Sequence, residues 1–478
     1  MHRTSHTIVG RLCLASLSFA VAAPALCAQA PAEPPPRPKY QLLRQNEDWS
    51  RFDAARVDPA ERRLFDSLKH VPLDVTGDVW ASFGGRLDWR FEAWDGFGFG
   101  AQTPGNSDAF LLSRLMLHGD LHLGPRVRVF VETIAADVLG RDDLPGGRRT
   151  IDTNTLDLFQ GFADWLVLDG ERSLRLRFGR QTLLFGAQRL VSPLPWVNAW
   201  RTWDGVSAEF RTGPWRVTGF ATLYAPVQKY DFDDADEDQQ FYGVYASRGA
   251  IGEGRGFDVY LLGKSRDGVT VNGTTGDERR HTLGARSHGS LGAGFDGELE
   301  GAWQWGEVGS GDVEAWFVAA VLGYRVPDWP TTPRFFTGFD VATGDARPGG
   351  DVGTFDQVFP LAHAYFGYAD VIARQNVVAA HLGAELRLAE RTNLSLTGHV
   401  LRLHDGDDAL YGVNGAPSRT GLGSRDVGQE VDLYVSHDWN AQLSSYAGYS
   451  HVFAGDGIAA SGADEDIDFF YLALTARF

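Results

Sequence analysis

Cysteine is almost absent from this chain: its two copies, Cys13 and Cys27, fall within the first thirty residues. A disulfide framework is therefore excluded for the body of the protein. Methionine is as scarce, at Met1 and Met116 only. Beyond the leader, no stretch has the ~18 consecutive apolar residues of a membrane-spanning helix. A positive excess is missing too, since 44 Lys and Arg face 62 Asp and Glu for a net charge of −18. Without surplus cations to hold phosphates, nucleic acid is not an expected partner. The 13 histidines show no HExxH or similar metal spacing, no G-x-S-x-G element occurs, and GEGRG (Gly252–Gly256) follows no dinucleotide-binding pattern. No catalytic residue, no metal ligand and no cofactor is assigned, and the chain reads as a non-enzyme.

What is present begins with MHRTSHTIVGRLCLASLSFAVAAPALCAQA. Arg3 and Arg11 make its start basic, Leu12 to Ala23 is a short apolar run, and Ala28-Gln29-Ala30 is a cleavage pattern. The apolar part is too short to span, so residues 1–30 read as a secretory signal peptide. Pro24-Ala25-Leu26 is a poor context for lipid anchoring at Cys27. Without Arg3 and Arg11 the mature chain carries 42 basic against 62 acidic side chains, a net charge of −20. Glycine (57 residues) and tryptophan (14) are abundant, and aromatics reach 12%.

The recurring pattern is period-two alternation in segments of about ten residues, the signature of strands with one apolar and one polar face. RLDWRFEAW sets Leu87, Trp89, Phe91 and Ala93 against Arg86, Asp88, Arg90 and Glu92. RLMLHGDLHL sets Leu115, Leu117, Leu121 and Leu123 against Arg114, His118, Asp120 and His122. SLRLRFGR sets Leu174, Leu176 and Phe178 against Arg175 and Arg177. FDGELEGAWQW sets Phe295, Leu299, Trp303 and Trp305 against Asp296, Glu298, Glu300 and Gln304. The closing stretch FFYLALTARF puts Phe470, Leu472, Leu474, Ala476 and Phe478 on one face, and Tyr471, Ala473, Thr475 and Arg477 on the other.

Such segments lie near 80–94, 110–123, 126–134, 156–168, 173–181, 204–212, 215–224, 240–247, 256–264, 280–288, 294–305, 313–325, 334–342, 376–388, 393–404, 428–438, 441–453 and 468–478. Short connections such as LGPR, LDGER and RTGP alternate with longer ones at 135–155, 182–203, 225–239, 265–279, 343–375, 405–427 and 454–467. Short turns at one end and long loops at the other describe an all-β transmembrane antiparallel barrel of about 18 strands. In hydrocarbon every backbone polar group needs an internal partner, and with helices excluded the sheet must close. Trp94, Trp165, Trp215, Trp303, Trp305, Tyr324 and Tyr449 suit interfacial girdles. The apolar face Phe470, Leu472, Leu474 and Phe478 resembles the assembly signal read by the barrel assembly machinery of bacterial outer membranes. Ahead of the barrel at 77–478, residues 31–76 read as a periplasmic extension. It has an extended, mobile Pro-rich start (Pro31–Tyr40) and a short helix beginning at Asp58 and Pro59.

Three stretches carry a resemblance: NEDWS (Asn46–Ser50), RFGRQTLLFGAQRLVSPLPWVNAWRTWDGVSAEFR (Arg177–Arg211) and GTFDQVFPLAHAYFGYADVIARQN (Gly353–Asn376). The chain resembles the alginate-export family of outer-membrane porins. That resemblance implies an eighteen-stranded monomeric barrel in a Gram-negative outer membrane, in contact with lipid and lipopolysaccharide. It also implies passage of an anionic polysaccharide through an arginine-rich lumen, with Arg180, Arg189, Arg201 and Asp204 of the second stretch at the mouth.

Strand parity alone places Arg86, Arg90, Arg114, Arg128, Arg175, Arg177, Arg286 and Arg387 toward the lumen, where guanidinium groups bind carboxylates. Inward Asp88, Glu92, Asp120, Glu132, Glu209, Asp296, Glu298, Glu300 and Glu385 are as numerous, so a paired network is the competing expectation. Loop 343–375 holds Phe355, Asp356, Phe359, His363 and Tyr368 and is expected to fold inward as a lid. Acidic loops KYDFDDADEDQQ, HDGDDAL and GADEDID invite loosely bound Ca²⁺ without matching an EF-hand. The functional expectation is a channel for an anionic polysaccharide or oligosaccharide. The alternatives are a porin for organic acids or aromatic compounds, and a barrel enzyme or adhesin working through its long loops.

Overall fold

In the computed structural model, which describes residues 37–101, 105–251 and 254–478, the alternating segments form eighteen antiparallel strands. The expected signal peptide, 1–30, lies outside the described residues. In chain order the strands are β1 (Val79–Asp95), β2 (Asp108–Leu123), β3 (Val127–Leu139), β4 (Asn154–Leu168), β5 (Arg172–Gln181) and β6 (Thr202–Thr212). Next are β7 (Trp215–Ala225), β8 (Gln239–Ile251), β9 (Arg255–Val271), β10 (Thr274–Gly292), β11 (Phe295–Val308) and β12 (Gly311–Arg325). The last are β13 (Arg334–Ala342), β14 (Val377–Ala389), β15 (Thr392–Leu403), β16 (Asp426–Asp438), β17 (Leu443–Ala454) and β18 (Ile467–Arg477). Neighbours in sequence pair, and β18 returns to β1 in a register running from Arg86↔Arg477 to Asp95↔Asp468. The sheet is thereby a closed cylinder.

Its polarity is the reverse of a soluble protein's. Leu117 and Trp303 face outward, 44% and 46% exposed, while Glu132 and Gln304 face inward at 2% and 0%. Phe470 and Leu472 lie on the same outer surface. A tall apolar exterior around a polar interior is what a lipid environment selects.

Three expectations are corrected. The connection 265–279 is not a loop: β9 and β10 run through it and turn tightly at Asn272-Gly273. Both residues have positive φ, 43° and 80°, the conformation of a two-residue hairpin turn that Asn-Gly favours. Trp94 is no girdle residue. It shares the inward face with Glu92, to which its indole donates at 3.1 Å, and stacks on Phe469 at 3.7 Å. The helix after Asp58 is a single turn, in which the Asp58 carboxylate accepts from the Ala60 N–H, followed later by a 3₁₀ turn at Asp66–Leu68. Tertiary contacts outbid a short helix here, because isolated helices of a few turns are marginal.

Those contacts tie the N-terminal extension to the barrel seam. Phe478 exchanges backbone hydrogen bonds with Gly85 at 2.9 and 3.0 Å, and there β18 ends while β1 runs on downward. The extension covers the remaining edge. Val71 and Pro72 pair with Ala81 and Trp80, and the Lys69 ammonium donates to the Phe83 carbonyl. Arg44 donates to the carbonyls of Gly85 at 2.8 Å and Phe478 at 2.9 Å. Phe65 lies against the Phe478 ring at 4.4 Å. The close approach depends on glycine, for a Cβ on Gly84 would stand 2.6 Å from both the Lys69 ammonium and the Phe478 carbonyl oxygen. Of the Pro-rich start, 31–40, expected to be mobile, residues 31–36 lie outside the described residues and 37–40 are held by an Arg37–Asp66 ion pair and by Tyr40 against Trp49.

Two outcomes test this seam. Arg44→Ala removes two charge-assisted hydrogen bonds to backbone and leaves the buried Glu47 carboxylate without its cation, so it is expected to cost about 3–5 kcal/mol of barrel stability, read as a lower urea midpoint in detergent. Burial, helped by nearby Arg44, pushes the Lys69 ammonium down to about 8. Between there and its ordinary value near 10.5 the unfolded chain holds more protons, so stability relative to Lys69→Met should rise with pH across that window. A flat difference between pH 7.5 and 10 would remove Lys69 from the seam.

Candidate functional site

The lumen is filled from the long-loop end by two segments. The loop after β5 and the loop after β13 meet in a backbone bridge, Val191 with Phe359, where Ser192 N–H donates to the Phe359 carbonyl at 2.8 Å. Their apolar residues, Leu190, Val191, Phe355, Phe359, Phe366 and Ile372, pack with inward Trp203, Phe241 and Phe317 into one buried cluster. Loop 343–375 therefore lies inside the cylinder. Asp356 sits between Lys264, at 2.9 Å, and Arg266. Burial opposes its ionisation, but Lys264, Arg266 and Arg280 outweigh it and hold the carboxyl below the ordinary carboxylate range. His363 stacks on Trp196 at 3.7 Å, and the N–H groups of Tyr368 and Ala369 donate to Asp432 and Glu430. Arg374, fully buried, donates to both carboxylate oxygens of Asp340 and to the Arg189 carbonyl.

The arginines with strand or loop partners are mostly neutralised. Arg86 and Arg114 share Asp88 at 2.7 and 2.8 Å, and Arg90 pairs with Glu92 at 2.7 Å. Arg128 pairs with Asp120, Arg177 with Asp164 and Arg180 with Asp204, each at 2.7 Å. Arg286 bridges Asp258 and Glu298 across β9, β10 and β11. Arg189 reaches from its loop to Glu298 and Glu300, and Arg201 donates to the Pro360 carbonyl of the other loop at 2.9 Å. Arg387 is exposed at the short-turn rim, where it donates to the Glu390 carbonyl. So the middle of the barrel is a lattice of paired charges.

The short-turn end differs. A cavity of about 1230 Å³ opens there among the turns at 124–126 and 213–214 and the inner faces of β3 to β10. Eight arginines line it against five carboxylates. Among the described residues Arg126, Arg175 and Arg216 carry no ion pair. No sequence pattern points to Arg126, which stands in a turn, whereas Arg216 has the inward parity of Thr218, Phe220 and Thr222 along β7. Beside this mouth the N-terminal extension enters the lumen. Gln45 bonds Thr182 at 2.9 Å and Gln160 at 3.1 Å, and Arg128 donates to its carbonyl at 2.9 Å.

The acidic loops spend part of their charge on structure. Asp233 accepts from the Gln228 N–H and from Asn154, and Asp408 from Thr354, Tyr411 and backbone N–H groups. Among the described residues no group of three or more His, Cys, Asp or Glu stands where it could hold a metal ion.

A family model described as alginate export matches residues 79–470. No curated protein matches the chain. Solved structures of similar fold include OccK8 (OprE) of Pseudomonas aeruginosa, 9% identical, with a TM-score of 0.55 over 83% of this chain and 98% of that one. OccAB2 of Acinetobacter baumannii is 10% identical, with a TM-score of 0.55 over 83% and 98%. OpdK of Pseudomonas aeruginosa, determined with vanillate, is 10% identical, with a TM-score of 0.52 over 83% and 98%. At these identities the likeness is one of fold, that of outer-membrane barrels.

The inward loops generate a prediction. Arg374→Ala leaves Asp340 buried without its cation, a defect worth about 3–5 kcal/mol where a buried pair is broken. Loop 343–375 should then be held less tightly, raising single-channel conductance and protease cleavage within it. Unchanged conductance with the heat shift of a folded barrel would mean the loop does not limit the path.

Proposed function

The chain belongs to the alginate-export family, and from that premise we propose that this outer-membrane channel carries an anionic polysaccharide or oligosaccharide out of the periplasm, without catalysis. The observation that carries the reading is the excess of guanidinium over carboxylate at the short-turn mouth, eight to five, with Arg126, Arg175 and Arg216 outside any ion pair. Short turns face the periplasm in barrels of this kind. Focused positive charge in a cleft raises the local concentration of an anion and speeds its capture. Further in, paired arginines offer many weak sites rather than one strong one, and conduction needs sites from which a solute can leave. Acidic clusters in the long loops, such as Asp234, Asp236, Glu237 and Asp238, put the opposite sign at the far end. That polarity favours anion capture from the periplasmic side.

A second reading, uptake of small organic or aromatic acids, is favoured by the two inward loops, which leave a space nearer a ligand pocket than an open pore. One set of recordings separates the two. In planar bilayers, a polyuronate added at the periplasmic face should block the channel, and a neutral polysaccharide should not. Arg175→Glu with Arg216→Glu should lower the anion-to-cation permeability ratio by about tenfold, at the low end of what focused charge does. Free passage of benzoate-sized acids with no effect of polyuronate would favour the second reading. An unchanged reversal potential would discard the mouth arginines as the selectivity element.

A further inference from the structure

Across the barrel from the arginine-lined mouth, the geometry points to a second subsite: a wall of aromatic rings beneath the loop plug that binds pyranose rings by stacking. It rests on the carbohydrate reading above. Tyr434 on β16 and Tyr446 on β17 face inward, by alternation with outward Leu433 and Tyr449, and their rings lie 5.8 Å apart. Tyr471 on β18 stands 6.1 Å from Tyr446. Loop residue Tyr368 completes the surface at 6.0 Å from Tyr434, whereas Trp196, 5.2 Å from Tyr471, has its faces covered by the His363 ring at 3.7 Å and the Arg90 guanidinium at 3.9 Å and serves only as a border. Three strands and one loop thus converge on one aromatic face.

Three observations separate this face from the packed cluster above it. Tyr434, Tyr446 and Tyr368 are only half-buried, while Phe241, Phe317 and Phe355 in the cluster are fully enclosed. The hydroxyl of Tyr471, on a fully buried side chain, has no hydrogen-bond partner. Buried tyrosine hydroxyls ordinarily find one, so this group is available to a polar ligand. Its ring lies flat on β17 because position 448 is glycine, where a Cβ would stand 2.1 Å from the ring. Finally, the Arg477 guanidinium has no ion pair among the described residues and donates to Ser444, two residues from Tyr446 on the same inward face.

Together these are the elements a uronic acid residue asks for. An aromatic face takes the C–H face of a sugar ring, an orphaned hydroxyl meets its hydroxyls, and a free guanidinium meets its carboxylate. Small-molecule sites have this composition, mostly aromatic lining with a few placed polar groups.

The test uses the full barrel in bilayers with an oligouronate as blocker. Tyr434→Ala with Tyr446→Ala should weaken block about 3- to 10-fold per lost stacking contact, and Tyr434→Phe with Tyr446→Phe should retain it. The heat shift on gels confirms that each variant is folded. Wild-type block in the double alanine variant, with block lost in the mouth variants, would overturn the aromatic subsite and leave the export reading standing. Equal loss in the alanine and phenylalanine pairs would overturn stacking. An oligouronate that never blocks the wild type would overturn both, and block by small aromatic acids through the same tyrosines would transfer the wall to the second reading.

Discussion

Everything in this molecule depends on the closing seam between β1 and β18. A sheet in hydrocarbon cannot leave an edge, because each unpaired N–H or C=O there costs several kcal/mol. The two strands differ in length, so pairing from Arg86 to Asp95 leaves the lower part of β1 without a neighbour. The N-terminal extension supplies what is missing: two paired residues, then Lys69 and Arg44 donating to carbonyls. Two glycines at 84 and 85 make room for that crossing. The segment is therefore part of the barrel wall, although it lies outside the strand pattern.

Closure then dictates the interior. Once the apolar faces are committed to lipid, the charged faces have only one another and the lumen's water. Buried cations without partners are too costly, so nearly every inward arginine in the middle of the barrel has a carboxylate. Guanidinium groups outside ion pairs survive where water reaches them, at the wide mouth lined by Arg126, Arg175 and Arg216 and at Arg477 beneath the tyrosines. The charge imbalance follows accessibility, and accessibility is greatest where a solute would arrive.

The strands were legible because lipid on one side and water on the other write themselves into every second residue. The eighteen segments and the inward parity of Arg86, Arg90 and Arg175 came from that rule alone. It fails above the membrane. At 265–279 the β9–β10 hairpin rises beyond the lipid and packs one face on Val308, Val313 and Val352, so its alternation fades and Asn272-Gly273 is the turn signal that remains. Trp94 has the residue type of a girdle but the inward parity of Glu92, and parity decides its place. Partner identity was illegible for another reason. Arg189 meets Glu298 and Glu300, and Gln45 meets Gln160 and Thr182, over separations of more than a hundred residues that no local pattern encodes. The inward course of loop 343–375 could be anticipated from its aromatics, but not that it would bridge to the loop after β5.

That bridge bears on how such a lumen conducts. The two loops form one unit, joined at Val191 and Phe359 and fixed to the wall by Arg189, Lys264 and Arg374. Breaking any of these buried pairs outright would cost about 3–5 kcal/mol, too much to happen often by thermal motion alone. Exchange is cheaper. A carboxylate entering the lumen that takes the place of Glu298 at Arg189, or of Asp356 at Lys264, replaces one ion pair by another. Neutral solutes have nothing to offer in return. Under the proposed passage of a carboxylate-rich solute, a plug held by paired charge would yield by the same chemistry that holds it.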